Sequence, residues 1–166
     1  LVFYLKDGTE TDQEDEIGTR YELRRRYWAF ALPYIQAAHG ADKAFSGCTT
    51  SKENWINGSI GIRGFSISCV ANYNQARVEF VLSSSSKEKN KDAYDYLFTK
   101  KSEIEASLGN ALEWGRSDDT KVSYILYRLL DVSVEHESDW TQMAKFHAEW
   151  SKKFYDVFVP YLKEKY

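Results

Sequence analysis

Residues Phe65–Leu82 read FSISCVANYNQARVEFVL, and the fold class of the chain rests on how this stretch is understood. Phe65, Ile67, Cys69, Ala71 and Tyr73 alternate with mostly small or polar residues, and Val78, Phe80 and Leu82 alternate with Arg77 and Glu79. A period of two places one set of side chains on one face of an extended chain, the pattern of a half-buried strand. Asn72-Tyr73-Asn74-Gln75 supplies turn residues between the two runs. The spacing therefore predicts an antiparallel hairpin.

On either side of the hairpin lie periods that suit helices. Leu23, Tyr27, Phe30, Tyr34 and Ala37 recur at spacings of four and three, after a capping-box pattern at Thr19–Glu22 and before Gly40. Pro33 is expected to kink or break that helix. A further strand-like run begins near Trp55. Beyond the hairpin, Ser85-Ser86-Lys87-Glu88 reads as a second capping box, for a helix carrying Ala93, Leu97, Ile104 and Leu108 and stopping at Gly109-Asn110. Leu112–Trp114 and Lys121–Leu129 read as a second strand pair. From Ser138 a last helix shows the stripe Trp140, Met143, His147, Trp150, Phe154, Phe158 and Tyr161. This order predicts an α+β fold, an antiparallel sheet of about five strands covered on one face by about three helices.

A chain of 166 residues suits one domain with a sizeable core, and its 16% aromatic content supplies large side chains to fill it. The net charge of −3 is unevenly spread: Leu1–Gly18 holds Lys6 against Asp7, Glu10, Asp12, Glu14, Asp15 and Glu16, so that segment carries −5 and Thr19–Tyr166 carries +2. The segment 1–18 reads as an acidic linker or the end of an upstream domain, with LVFYL a strand or the tail of a preceding element, and 19–166 as a single α+β domain. The absence of an initial Met suggests a piece of a longer protein. No apolar run approaches the ~18 residues of a membrane span, and no basic leader with a long apolar stretch marks a signal peptide. No membrane contact is expected. Cys48 and Cys69 occur without a CxxC pair or a Cys/His cluster, which fits free thiols in a reducing cytoplasm.

Motifs that carry chemistry are few. Asp119-Thr120-Lys121 at the start of a strand has the acid-x-Lys form that many metal-dependent nucleases use, with Glu79 or Glu113 available as a second acid. The same residues are also good turn formers, and the turn is the stronger reading. NGSIGIRG brings Gly58, Gly61 and Gly64 together, but a strand rather than a helix follows, so bulges or close backbone approach are favoured over a phosphate cradle. His147 lies on an apolar stripe and reads as a hydrogen-bonded core histidine. No cofactor, metal site or catalytic residue is expected, and the domain alone is read as more plausibly a binding module than an enzyme. Arginines and lysines do lie beside aromatics, at Arg24–Arg26 before Tyr27-Trp28, at Lys87, Lys89 and Lys91 before Tyr94, and at Trp114 and Arg116. Such interleaving suits nucleic-acid surfaces, although helices commonly expose basic residues beside a core stripe.

Six stretches taken together carry a resemblance: YELRRRYWAFALPYI, NWINGSIGIRGFSIS, ARVEFVL, KNKDAYDYLFTKKSEIEASLGNALEW, RSDDTKVSYI, and Asp139-Trp140 followed by an aromatic-rich helix. In this combination and order the chain resembles the bacterial and archaeal family known as domain of unknown function 4268, over nearly all of Thr19–Tyr166. The resemblance extends to Lys100, Glu103, Glu105, Gly109, Glu113, Trp114, Arg116, Asp118 and Lys121. It implies a context rather than a reaction, because such domains often sit C-terminal to a restriction-endonuclease-like nuclease domain. The expected function is an accessory module of a nucleic-acid-processing protein, with defence or restriction as the setting that the resemblance suggests. It would contact DNA or position an upstream nuclease, in the same chain or in another protein. A protein–protein interaction or dimerisation domain is the alternative, and a metal-dependent nuclease the third. The candidate binding cluster is Glu113, Trp114, Arg116, Asp118 and Lys121, with Glu113 and Arg116 expected to pair.

Overall fold

The computed structural model describes residues 3–166, with side chains from residue 18 onward. The hairpin forms as β2 (Phe65–Ala71) and β3 (Gln75–Leu82), paired from Phe65 opposite Leu82 to Ala71 opposite Ala76. Asn72 N–H donates to the Gln75 carbonyl at 2.8 Å and closes the turn. Before it comes β1 (Trp55–Ser59), and after it β4 (Glu113–Gly115) and β5 (Ser123–Leu130). All pairings are antiparallel, in the order β1-β2-β3-β5-β4. The returning strand β5 lies beside β3 and leaves the short β4 at the edge.

Four α-helices accompany the sheet: α1 (Phe3–His39), α2 (Lys87–Thr99), α3 (Lys101–Leu108) and α4 (Trp140–Lys165). The architecture is α+β, as the element order predicts. One expected helix is two, because the chain breaks at Lys100, whose N–H donates to the Leu97 carbonyl. The cap of α2 is Ser86, whose Oγ accepts from Lys89 N–H at 3.1 Å, one residue later than the sequence pattern places it. Thr19–Glu22 lies within α1 instead of starting it, and α1 runs on through Pro33. The helix includes Phe3–Leu5, read above as part of a strand or the tail of a preceding element, and most of the acidic segment; Leu1 and Val2 lie outside the described residues. No proline occurs before residue 33, and Glu10, Gln13, Glu14 and Glu16 favour a helix, so Gly8 and Gly18 weaken that stretch without breaking it.

Every second residue of β3 (Ala76, Val78, Phe80 and Leu82) is fully buried under helices, while Gln75, Arg77, Glu79 and Val81 are only partly covered. Helix α4 supplies most of that cover. Phe158 packs on Phe80 with ring centroids 4.8 Å apart, and Trp150 stacks on Tyr127 at 4.0 Å. Helix α1 lies against α4 through Tyr27, Trp28, Ala31 and Ile35, all fully buried. Its buried stripe is rotated from the one the spacing suggested: Leu23, Phe30 and Tyr34 are half-buried and Ala37 is exposed. Two hydrogen bonds set this phase. Trp28 Nε1 donates to the Glu53 carbonyl at 3.0 Å, and the Tyr27 hydroxyl lies 2.7 Å from His147 Nδ1. No described helix is long and apolar enough to cross a membrane.

Candidate functional site

The first two turns of α2 tie together two loops at one end of the sheet. Positions four apart share a helix face, so Lys87 and Lys91 both reach the β4–β5 connection. Lys87 Nζ donates to the Asp118 carbonyl at 2.8 Å. The buried Lys91 ammonium donates to Ser117 O at 2.8 Å, Val122 O at 3.1 Å and Ser123 Oγ at 2.9 Å, and also contacts Arg116 O. An ammonium has three protons, so these four acceptors leave none of them without a partner. Burial, reinforced by the nearby Lys87 and Arg116 charges, moves the Lys91 pKa below that of an ordinary lysine. Between them, the enclosed Asn90 donates to Lys121 O at 2.9 Å and Ser84 O at 3.0 Å, and accepts from Ser84 N–H at 2.9 Å. The connection is thus held from beneath by one helix. Its backbone includes Ser117 at φ 55°.

The predicted cluster divides across the sheet. Arg116 grips Asp95 of α2 with Nε at 2.8 Å and Nη2 at 3.0 Å, and its Nη1 contacts Asp118. These bonds hold the Arg116 pKa above and the Asp95 pKa below the usual values. Glu113 does not pair with Arg116, contrary to expectation. Residues along β4 alternate sides, so Glu113 lies on the helix-free face and accepts from Arg128 Nε at 2.6 Å, while Trp114 points towards the helices. Trp114 Nε1 donates to Glu105 Oε2 at 3.1 Å, and Phe98 meets its ring edge-on at 5.5 Å. Lys101 also binds Glu105, at 2.9 Å. Asp119 and Lys121 are exposed, and their side chains form no hydrogen bond or ion pair among the described residues.

A nuclease centre at Asp119 would need a second acid to converge with it. Glu79 and Glu113 share one register row, with Leu126 between them. Two strand spacings put them ~9.5 Å apart. Each already holds an arginine, Arg77 and Arg128 respectively. Among the described residues, no three His, Cys, Asp or Glu side chains gather as metal ligands would. The turn reading of Ser117–Lys121 accounts for the geometry.

The second loop at this end is the glycine run between β1 and β2. Gly61 and Gly64 have φ of +79° and +87°, and a Cβ on Gly58 would overlap the Phe45 ring. These glycines serve backbone conformation and close packing. They also border a cleft of about 530 Å³ on the helix-free side, lined by Asn57, Ser59, Ser66, Ser83 and Arg63 among others. Lys89 Nζ donates to the Arg63 carbonyl at 3.1 Å and lies over the Phe65 and Tyr166 rings at 5.0 and 5.2 Å. Arg63, Lys87, Lys89, Lys121 and Lys165 therefore collect around the start of α2. Among the described residues none of them has a carboxylate within 4.0 Å. No local sequence signal reveals this gathering, because the cations come from two separate loops and two helices.

Two histidine sites also lie in the core. His147 is the hydrogen-bonded core residue expected: Nε2 donates to the Val70 carbonyl at 2.8 Å, leaving Nδ1 to accept from Tyr27. Burial pushes its pKa down to about 4. His39 carries no local sequence signal, yet its Nδ1 lies 2.9 Å from Asp42 Oδ1 and its Nε2 2.9 Å from Ser151 Oγ. The contacts resemble a Ser-His-Asp relay, but Ser151 is fully enclosed and Lys152 neutralises Asp42 at 2.9 Å. They join the end of α1 to α4. A separation of 112 residues hides such a tie from local pattern reading.

No curated protein and no solved structure matches the chain significantly. One family model does match, from residue 23 to residue 162, which takes in the sheet, nearly all of α4 and every cation of the end described above except Lys165. The chain belongs to the family described as domain of unknown function, DUF4268.

Proposed function

We propose that this domain is a non-catalytic accessory module that contacts nucleic-acid backbone in a nucleic-acid-processing protein, either reading DNA or positioning a nuclease on it. The observation that supports this reading is the collection of Arg63, Lys87, Lys89, Lys121 and Lys165 at one end of the sheet, without carboxylate partners among the described residues. Cations that form no ion pair among the described residues are available to replace counterions along a phosphate chain. Their presentation is rigid, because Lys91 and Asn90 fix the β4–β5 connection and the cap at Ser86 fixes the start of α2. Fluorescence anisotropy with a labelled DNA duplex tests the reading. Lys87→Glu with Lys121→Glu should weaken binding by about tenfold or more, whereas Lys145→Glu on the exposed side of α4 should change it little. Equal effects from both would remove the cation-bearing end from the account. Magnesium-dependent cleavage abolished by Asp119→Asn would restore the nuclease.

A second reading, a protein-binding surface, has its own support. Phe98 is 47% exposed, stacks on Tyr94 and borders an apolar hollow with Asp95 and Arg116. If another protein covers this surface, Phe98→Ser should abolish that association while leaving DNA binding intact. Sedimentation of the wild type and variant reads the self-associating case.

A further inference from the structure

We infer that the cleft beside the glycine loop receives unpaired nucleotides of single-stranded nucleic acid, with one base stacking on Trp55 and a phosphate meeting Arg63. The inference rests on the nucleic-acid reading above and names the part of the ligand that this face takes.

Three neighbouring features share the helix-free side. The first is an aromatic plate. Trp55 is 44% exposed on the edge strand β1 and its indole N–H has no hydrogen bond among the described residues. Trp55, Asn57 and Ser59 lie at a period of two, so all project to the same face, about 6.8 Å apart along the strand. The second feature is a polar floor. Ser59 pairs with Ser66 and Asn57 with Ser68 across the β1–β2 register, and Asn57 Oδ1 is bonded by the Ser68 hydroxyl, so its amide N–H₂ is turned to the open side. The third is an anion end. The N–H groups of Gly61, Ile62 and Arg63 form no hydrogen bond among the described residues, and the Arg63 guanidinium is exposed without a partner there. A Cβ at Gly61 would meet nothing within 4 Å, so this backbone is open to an approaching ligand.

A volume of about 530 Å³ is in the range of small-ligand clefts and suits a nucleotide. Stacking needs a base freed from its duplex partner, and donors to sugar and base edges need the strand splayed open. Arg63, without a carboxylate among the described residues, favours an anionic chain over a neutral sugar. The wider cations recognise any phosphate backbone; this face selects the unpaired one.

Anisotropy with a fluorescein-labelled oligothymidylate and with a blunt duplex of matching length tests the inference on the full chain. Wild type should bind the single strand more tightly than the duplex. Trp55→Ala should weaken single-strand binding by about tenfold or more and leave duplex binding within about twofold, whereas Arg63→Gln should weaken binding to both probes and to the single strand more. Trp55→Phe, which keeps a stacking plane, should restore most of the loss. Duplex binding sensitive to Lys87 and Lys121 but no single-strand preference, or no effect of Trp55→Ala, would overturn this inference and leave the broader reading standing. Binding to neither probe would overturn both. A neutral oligosaccharide that competes as well as the oligothymidylate would also overturn it.

Discussion

Lys91 brings a charged group into a site where only carbonyls and one hydroxyl receive it, and the β4–β5 connection is built around that group. Replacing it with a methionine of similar length would take one donor from each of these acceptors, leaving only Thr120 and the Ser123 hydroxyl to serve the three carbonyls. Lys91→Met should therefore destabilise the domain by about 3 kcal/mol in urea unfolding. A loss below about 0.5 kcal/mol would mean that water or the flanking Lys87 can take its place. His147 makes a different residue-scale prediction. Its pKa is lowered from 6.5 to about 4, so the unfolded chain binds a proton more readily than the native one. The stability is fully present above pH ~6.5 and is lost as the pH falls from there towards ~4. Between pH 7 and 5 this one group should cost about 2 kcal/mol. His39, also lowered, chiefly by burial, adds to the same trend. Unfolding free energies measured across that range should fall less steeply in His147→Gln than in wild type; parallel curves would remove His147 as the cause. The histidine on the apolar stripe was legible as a core residue from its spacing, whereas Lys91 looked like one more surface lysine. Only the tertiary position of the connection shows why it is buried.

At the scale of elements, alternation decided what was readable. Phe65–Leu82 formed the expected hairpin because a one-residue slip would turn Phe80 and Val78 out of the core. The pairing of β3 with β5 across two intervening helices left no comparable trace. Nor did the phase of α1, since two adjacent stripes both satisfy spacings of three and four. Hydrogen bonds from Tyr27 and Trp28 to distant residues choose between them. The site was legible in pieces: Arg116, Asp118 and Trp114 do lie about one helix–strand junction, but Glu113 points the other way because alternate strand residues face opposite sides. The glycine loop offers a test at this scale. A Cβ at Gly64 would come within 2.3 Å of the Ser84 backbone, while one at Gly61 would meet open space, although both positions have positive φ. Gly64→Ala should lower stability by about 3 kcal/mol and Gly61→Ala by about 1 kcal/mol. Thermal unfolding of the pair checks the ordering, and a reversal would mean that the β2–β3 end yields more easily than its contacts imply.

For the whole molecule, the charge separates an acidic N-terminal segment from a body that is slightly basic. Among the described side chains, the buried residues of α1 begin at Tyr27, and the acidic run offers almost no apolar area to bury, so removing residues 1–17 should shift the unfolding midpoint by less than about 3 °C. A much larger fall would make the start of α1 part of the folded unit. The central claim is that the body meets phosphate chains through the cations around α2. It is tested most directly by the salt dependence of DNA binding. A plot of log affinity against log salt should be linear with a slope of roughly −3, and each of Lys87→Gln and Lys121→Gln should flatten it by up to about 0.9. A slope near zero, or one that neither substitution alters, would contradict the account.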